Sequence, residues 1–172
     1  MSITMTNKNA RIFNQASEEA NKSTLNYKHG AIITKNGKKI CGGHNHSRSY
    51  SNGSVYCSFH AEIHVSKKMI SMCLRGKKIK KDSDLHRYTK KMDIYITRDN
   101  GCDNSAFQDS SPCKSCAEFL KRINFRNIYY TLNDGKIIKV KPQNLVSVHF
   151  SNAQITMKEN INFNSHKSIL IK

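Results

Sequence analysis

The chain has 172 residues and a formal net charge of +17, from 29 Lys and Arg against 12 Asp and Glu. This length suffices for one domain with a buried core, and no apolar run approaches the roughly 20 residues that span a membrane. The first ten residues lack the apolar segment of a secretory signal, so the six cysteines indicate reduced thiols or metal ligands. We therefore expect a cytoplasmic protein without a membrane segment.

The positive charge would attract phosphate, whether on a nucleotide or on a polynucleotide. Lys, Asn and Ile are all abundant, as an A/T-biased genome would produce without selection for binding. Lys also far outnumbers Arg, which is the better residue for bidentate phosphate recognition. Nucleic-acid binding through a basic surface therefore stays an open alternative.

The first elements predicted along the chain are a helix and a hairpin. Residues 7–23 carry apolar side chains at helical spacing, which predicts an amphipathic helix. Two strand-like runs follow at 29–35 and 38–43, with Asn36-Gly37 between them. Asn-Gly is a strong hairpin signal because both residues tolerate positive φ, so we expect two antiparallel neighbouring strands.

A polar loop, a helix and a basic segment are predicted next. The loop from His46 to Cys57 contains Tyr50 and Tyr56, on which a base could stack, although a solvated loop describes Tyr50 better. Helical spacing of apolar residues returns over 60–74. Residues 75–91 then have eight basic residues against two acidic ones and no clear periodicity. We expect an inserted basic loop there, or an extension of the helix.

In the last part of the chain, the sequence pattern predicts one strand, then a helix, then two further strands. Strands are expected at 92–97, 127–131 and 137–140. Pro112 suits the first turn of the helix, because its missing N–H is not needed there, and a polar loop over 98–111 precedes it. The tail from 151 to 172 is rich in Asn and Lys and is either a final helix or disordered.

Two segments contain the residues with distinctive chemistry. They are His60-Ala61-Glu62 and Ser111-Pro112-Cys113-Lys114-Ser115-Cys116. One His and two Cys are suitable ligands for Zn²⁺, and three protein ligands leave a fourth position for water, as in catalytic sites. Glu62 is close enough to reach that water without being a ligand. A Cys-x-x-Cys alone could instead be half of a structural zinc site, or two ordinary thiols.

At these residues the chain resembles the cytidine/deoxycytidylate deaminase superfamily, whose signature is His-x-Glu followed by Pro-Cys-x-x-Cys. The resemblance covers about residues 7 to 145. It implies an α/β fold, a three-layer α/β/α domain with a mixed five-stranded sheet, over residues 1–150, with 151–172 as a polar tail. It also implies a zinc ion held by His60, Cys113 and Cys116 at the starts of two helices.

The resemblance further implies hydrolytic deamination of a cytosine-type nucleoside or nucleotide, with release of ammonia. Zinc lowers the pKa of water toward about 7. Glu62 would then move protons from the water to the ring nitrogen and to the departing amine. Asn45 matches the Asn that binds the sugar in this family. The backbone around Ala61 and Ser111 matches the positions that orient the edge of the base.

The direction of the last strand is open. Asn133-Asp134-Gly135 predicts a tight turn, which permits only an antiparallel partner for the strand at 127–131. In the family, free-nucleoside cytidine deaminases have this antiparallel strand. Deoxycytidylate, tRNA and polynucleotide deaminases, which have His as the first ligand, usually insert a helix and have a parallel one. The chain combines His60 with the hairpin, so the subfamily is open as well.

Three alternatives are compatible with the same motifs. The chain could deaminate cytidine or adenosine in RNA or DNA, as the basic segment 75–91 suggests. It could also be an inactive zinc-containing protein that binds nucleic acid, although the intact Glu62 argues against this. A second zinc could be held by Cys57 or Cys102 together with His44 or His46. A homo-oligomer is compatible with each of these functions.

Overall fold

A computed structural model of the chain describes residues 2–47, 50–51, 54–55, 59–99 and 108–151. Within these ranges the elements, in chain order, are β1 (Ser2–Ile3), α1 (Asn7–Ala20), β2 (Lys28–Lys35), β3 (Lys38–His44), β4 (Tyr50–Ser51), β5 (Ser54–Val55), α2 (Ala61–Arg75), α3 (Asp82–Thr89), β6 (Met92–Asp99), α4 (Lys114–Ile123), β7 (Asn127–Thr131) and β8 (Ile137–Val140). A 3-10 turn follows at Pro142–Asn144. None of the helices in the described ranges is long and apolar enough to cross a membrane.

The main sheet is mixed and has the strand order β1-β8-β7-β6-β2-β3, while β4 and β5 form a separate pair. Only β6 and β7 are parallel among the described pairs of this sheet. The sheet has six strands where five are predicted, because Ser2 and Ile3 pair with β8 at the edge. The open question about the last strand is also answered, since β8 lies antiparallel to β7.

Helices cover both faces of this sheet, which confirms the predicted three-layer α/β/α fold. On one face, α1 packs its apolar side onto Ile32, Tyr95 and Tyr129. On the other face, α2, α3 and α4 pack onto alternate residues of the same strands, such as Ile33, Ile94 and Ile96. The alternation is the expected period of two along a strand, so β2, β6 and β7 each contribute to two cores.

Local backbone geometry places α1 and α2 close to the β2–β3 hairpin. The hairpin turns at Asn36 and Gly37, with φ of 52° and 77°, as the Asn-Gly signal predicts. A Cβ atom on Gly30 would lie 1.9 Å from the carbonyl oxygen of Ala16 in α1. On the opposite face, a Cβ atom on Gly43 would lie 3.0 Å from the backbone nitrogen of Val65 in α2. Glycine at these two positions allows the helices to approach the sheet.

The basic segment 75–91 is neither a loop nor an extension of α2, because it contains the separate helix α3. The chain leaves α2 at Arg75, and Lys77 adopts a positive φ of 52°. Lys80 N–H then bonds to the Asp84 carboxylate at the start of α3. Leu85 is the only large side chain of this helix that is fully buried, while Tyr88 packs partly against the core. The helical periodicity is therefore too weak to read from the sequence.

We expect Leu85→Ala to lower the free energy of unfolding by about 2–5 kcal/mol, because Leu85 is fully buried and its loss leaves a cavity. Leu74→Ala is a matched control, since Leu74 is exposed near the end of α2 and should change stability by less than about 0.5 kcal/mol. Urea unfolding of both variants measures the difference. Equal effects would show that α3 does not anchor the segment.

Candidate active site

The first zinc motif lies where the chain enters α2. Phe59 forms two backbone hydrogen bonds with His46, each 3.0 Å long, which hold the incoming chain beside the end of β3. His60 is extended, with φ −72° and ψ 150°, and α2 begins at the next residue. Glu62 is therefore in the first turn of α2. Ala61 and Glu62 are both buried, so this turn faces the interior of the protein.

The second zinc motif has the same geometry at the start of α4. Cys113 is extended, with φ −68° and ψ 168°, and precedes the first residue of the helix. Ser110 anchors the chain just before it. The Ser110 hydroxyl donates to the carbonyl oxygen of Ile96 at 2.9 Å, and the Ser110 N–H donates to the carbonyl oxygen of Thr131 at 2.9 Å. The motif is thus tied to the ends of β6 and β7.

The two helix starts bring His60, Cys113 and Cys116 together. The ligand atoms of the three residues all lie within 4.8 Å of one another. His60 Nδ1 is 3.2 Å from Cys116 Sγ and 3.6 Å from Cys113 Sγ. One imidazole nitrogen and two sulfurs form a donor set that suits zinc, and three protein donors are typical of a catalytic site. Over the described part of the chain, no other cluster of at least three such residues could hold a metal ion.

The three ligand side chains strongly shift one another's pKa values. The hydrogen bond from Cys116, helped by His60 and opposed by burial, lowers the pKa of Cys113 to about 4. Burial lowers the pKa of His60, but the hydrogen bond with Cys113 and the charge of Glu62 outweigh it and raise the pKa to about 9. Burial raises the pKa of Cys116 well above its ordinary value. His60 and Cys116 therefore hold protons that a bound metal would displace.

Glu62 lies beside this cluster and is only 4% exposed. Burial raises the pKa of its carboxyl group, and the nearby charge of His60 opposes the shift. A hydrogen bond with the Cys116 side chain also holds the carboxylate against the cluster. A buried carboxyl group with a raised pKa can accept and return a proton at neutral pH, which is what a general acid and base requires.

Asn45 lies at the same end of the sheet but bonds mainly to backbone. Its side-chain oxygen accepts the His29 N–H at 2.8 Å, and its amide nitrogen donates to the Tyr27 carbonyl at 2.6 Å. An amide has two further hydrogen-bonding positions, so contact with a substrate stays a prediction. Ser111, whose N–H bonds to Asp109 at 2.8 Å, is half-buried beside Cys113, and its role in orienting a base also stays a prediction, as does that of Ala61.

His29 and Arg98 are two residues near the site that the motifs do not reveal. They are directly paired in the register of β2 and β6. Burial, followed by the charges of Arg98 and His60, lowers the pKa of His29 to about 4, so its imidazole is neutral. The sequence signal that could have revealed them is a polar residue near the end of an otherwise apolar strand, His29 in β2 and Arg98 in β6.

A second cluster of histidines lies between the end of β3 and the first turn of α2. The rings of His44, His46 and His64 have centroids 4.7 to 6.1 Å apart, and His64 Nδ1 is 2.8 Å from the His44 carbonyl oxygen. Cys57 and Cys102, predicted as further zinc ligands, lie outside the described residues. The side chains of Tyr50 and Tyr56 and the tail from 152 onward lie outside them as well.

The basic segment lies at the opposite end of the sheet from the zinc ligands. The helix α2 begins at the zinc site and ends at Arg75, and its 15 residues span about 20 Å. All eight basic residues of the segment are exposed: Arg75, Lys77, Lys78, Lys80, Lys81, Arg87, Lys90 and Lys91. These basic residues therefore lie about one helix length from the zinc ligands.

Comparison with known proteins agrees with these motifs. The sequence matches the family described as the cytidine and deoxycytidylate deaminase zinc-binding region over residues 6–132. Two similar solved structures are of dCMP deaminase from the cyanophage S-TIM5. The apo form is 20% identical with a TM-score of 0.46 and covers 74% of this chain and 86% of that one. The complex with dCMP and dUMP is 18% identical with a TM-score of 0.44, with coverages of 75% and 85%. No curated protein matches the chain.

Proposed function

Because the chain belongs to the cytidine and deoxycytidylate deaminase family, we propose that it is a zinc-dependent hydrolase acting on the cytosine base of a nucleoside or nucleotide. The reaction yields the uracil form and ammonia. The observation that carries the proposal is the buried Glu62 beside the cluster of His60, Cys113 and Cys116. A purely structural zinc site would not need a buried carboxyl group of raised pKa at its edge.

The mechanism assigns a separate task to each group of residues. His60, Cys113 and Cys116 hold the zinc ion, which when bound acts as a Lewis acid and makes water reactive near neutral pH. Glu62 accepts a proton at a carboxylate oxygen and delivers it to the ring nitrogen of the base. It then accepts the second proton of the former water, from the hydroxyl added to the base, and gives it to the departing amine, so that one carboxyl group acts as base and acid in turn. The positive ends of α2 and α4 stabilise negative charge at the site.

Ammonia release tests this proposal. The substrates are cytidine, deoxycytidine, their monophosphates, adenosine and a cytosine-containing single-stranded oligonucleotide. Turnover of at least one cytosine compound, abolished by removal of zinc with a chelator and restored by zinc, is the expected result. Turnover of adenosine alone would contradict the choice of base. A zinc-loaded protein that releases no ammonia from any of them would contradict the function.

A polynucleotide substrate is the second candidate, and the exposed charge of the segment 75–91 is the observation that favours it. We expect replacement of Lys77, Lys78, Lys80 and Lys81 by Ser to leave deamination of a free nucleotide unchanged, because charges about 20 Å away are screened at 0.1 M salt. Parallel rate measurements on a mononucleotide and on an oligonucleotide check this. Two results together would favour a polynucleotide substrate. The variant would lose only the oligonucleotide reaction, and the affinity of the wild type for the oligonucleotide would fall steeply with salt.

A further inference from the structure

The side chain of Arg98 finds no acceptor for its charge among the described residues. Its Nε atom is buried and has no hydrogen-bond partner within the described part of the chain. Among the described residues no carboxylate is within ion-pair distance of Arg98. The guanidinium instead lies over the ring of Tyr27, with Cζ 4.6 Å from the ring centroid. A buried donor without an acceptor costs stability, so a ligand that supplied an acceptor to Arg98 would be stabilised there.

The register of the sheet places Arg98 on the same face as the zinc ligands. Ile94 and Ile96 pack into the core beneath α2 and α4, and side chains alternate along a strand, so Arg98 points to this same layer. Arg98 also lies at the end of β6 that the second zinc motif joins, because Ser110 is bonded to Ile96. The side chain therefore faces the layer that contains the zinc site, at the same end of the sheet.

A continuous series of backbone contacts connects Arg98 to His60. Arg98 pairs with His29, and the His29 carbonyl oxygen accepts the N–H of Asn45 at 3.0 Å. The next residue, His46, forms the bridge to Phe59, which directly precedes His60. Two strand spacings, roughly 10 Å, thus separate Arg98 from the strand end that leads into the zinc site. A nucleotide whose base lies at the zinc can extend across that distance.

We propose that Arg98 binds the phosphate group of a nucleoside monophosphate substrate and so makes the site selective for nucleotides over nucleosides. This inference rests on the function proposed above. A guanidinium offers two parallel N–H donors that match the oxygens of a phosphate, and the ring of Tyr27 restricts the plane of those donors. The basic segment at the far end of the sheet is not needed for this contact.

The test is the ratio of kcat/KM for deoxycytidine monophosphate to that for deoxycytidine. We expect Arg98→Gln to lower the ratio about 10- to 100-fold, the usual effect of losing a hydrogen bond between charged groups. Arg98→Lys keeps the charge without the bidentate geometry and should show a smaller loss. Arg75→Gln is the matched control, because it removes the same charge from the far end of α2. Thermal melting of each variant verifies that it is folded.

An unchanged ratio in folded Arg98→Gln, or a wild type without preference for the monophosphate, would overturn the inference. An Arg98→Gln variant that loses activity only on a cytosine-containing oligonucleotide would also overturn the inference. Arg98 would then contact the phosphate of a polynucleotide. If the wild type releases no ammonia, the proposed function fails, and calorimetric binding of dUMP and deoxyuridine decides the inference separately. A preference for dUMP that disappears in Arg98→Gln supports it, and equal binding of the two ligands contradicts it.

Discussion

Glu62→Gln should reduce deamination by at least about 10² to 10⁴-fold, the usual contribution of a general acid and base, while the protein keeps its zinc. Glutamine preserves the shape of the side chain but cannot accept or release a proton, and Glu62 is not among the clustered ligands. The loss should appear in kcat, because the proton transfers belong to the chemical step. Steady-state ammonia release, with zinc content measured on the same samples, checks both parts.

Glu118→Gln is a suitable control for this experiment. Glu118 is exposed on α4, the helix that also contains Cys116, so the substitution removes a carboxylate without touching the buried cluster. We expect normal turnover and normal zinc content in this variant. A Glu62→Gln protein that retained most of its turnover on a confirmed substrate would show that another group transfers the protons.

Cys113→Ala and Cys116→Ala should each reduce the zinc content far below the about one ion per chain expected of the wild type, and activity should fall with it. Each substitution removes one of three protein ligands from a site whose donor atoms are already close together. Cys41→Ala is the control, because Cys41 is a buried thiol of the core and is not part of the cluster. Elemental analysis of the purified proteins measures the effect.

Two results would contradict this assignment of the ligands. One is a wild-type protein that contains no zinc when prepared without chelators. The other is full zinc occupancy in Cys113→Ala or Cys116→Ala. A reduced zinc content in Cys41→Ala as well would indicate general loss of structure, which melting curves of the same samples would detect.

The amino-acid sequence by itself determined the local features of this protein. The two motifs identify the three clustered ligands and Glu62, since metal chemistry depends on residue types at short spacing. The hairpin at Asn36-Gly37 and the strands at 127–131 and 137–140 were also predictable. In each case the signal is a turn residue or an alternation within a few neighbouring positions, and short-range sterics suffice to produce it.

Only the tertiary structure decided which distant residues share the site. His60 and Cys113 are 53 positions apart, and they meet because α2 and α4 pack side by side on one face of the sheet. The pairing of Arg98 with His29 depends on strand register, which no local pattern specifies. The helix α3 depends on burying one leucine against the core. The charges of segment 75–91 could be counted in the sequence, but their separation from the zinc site follows from the length and direction of α2.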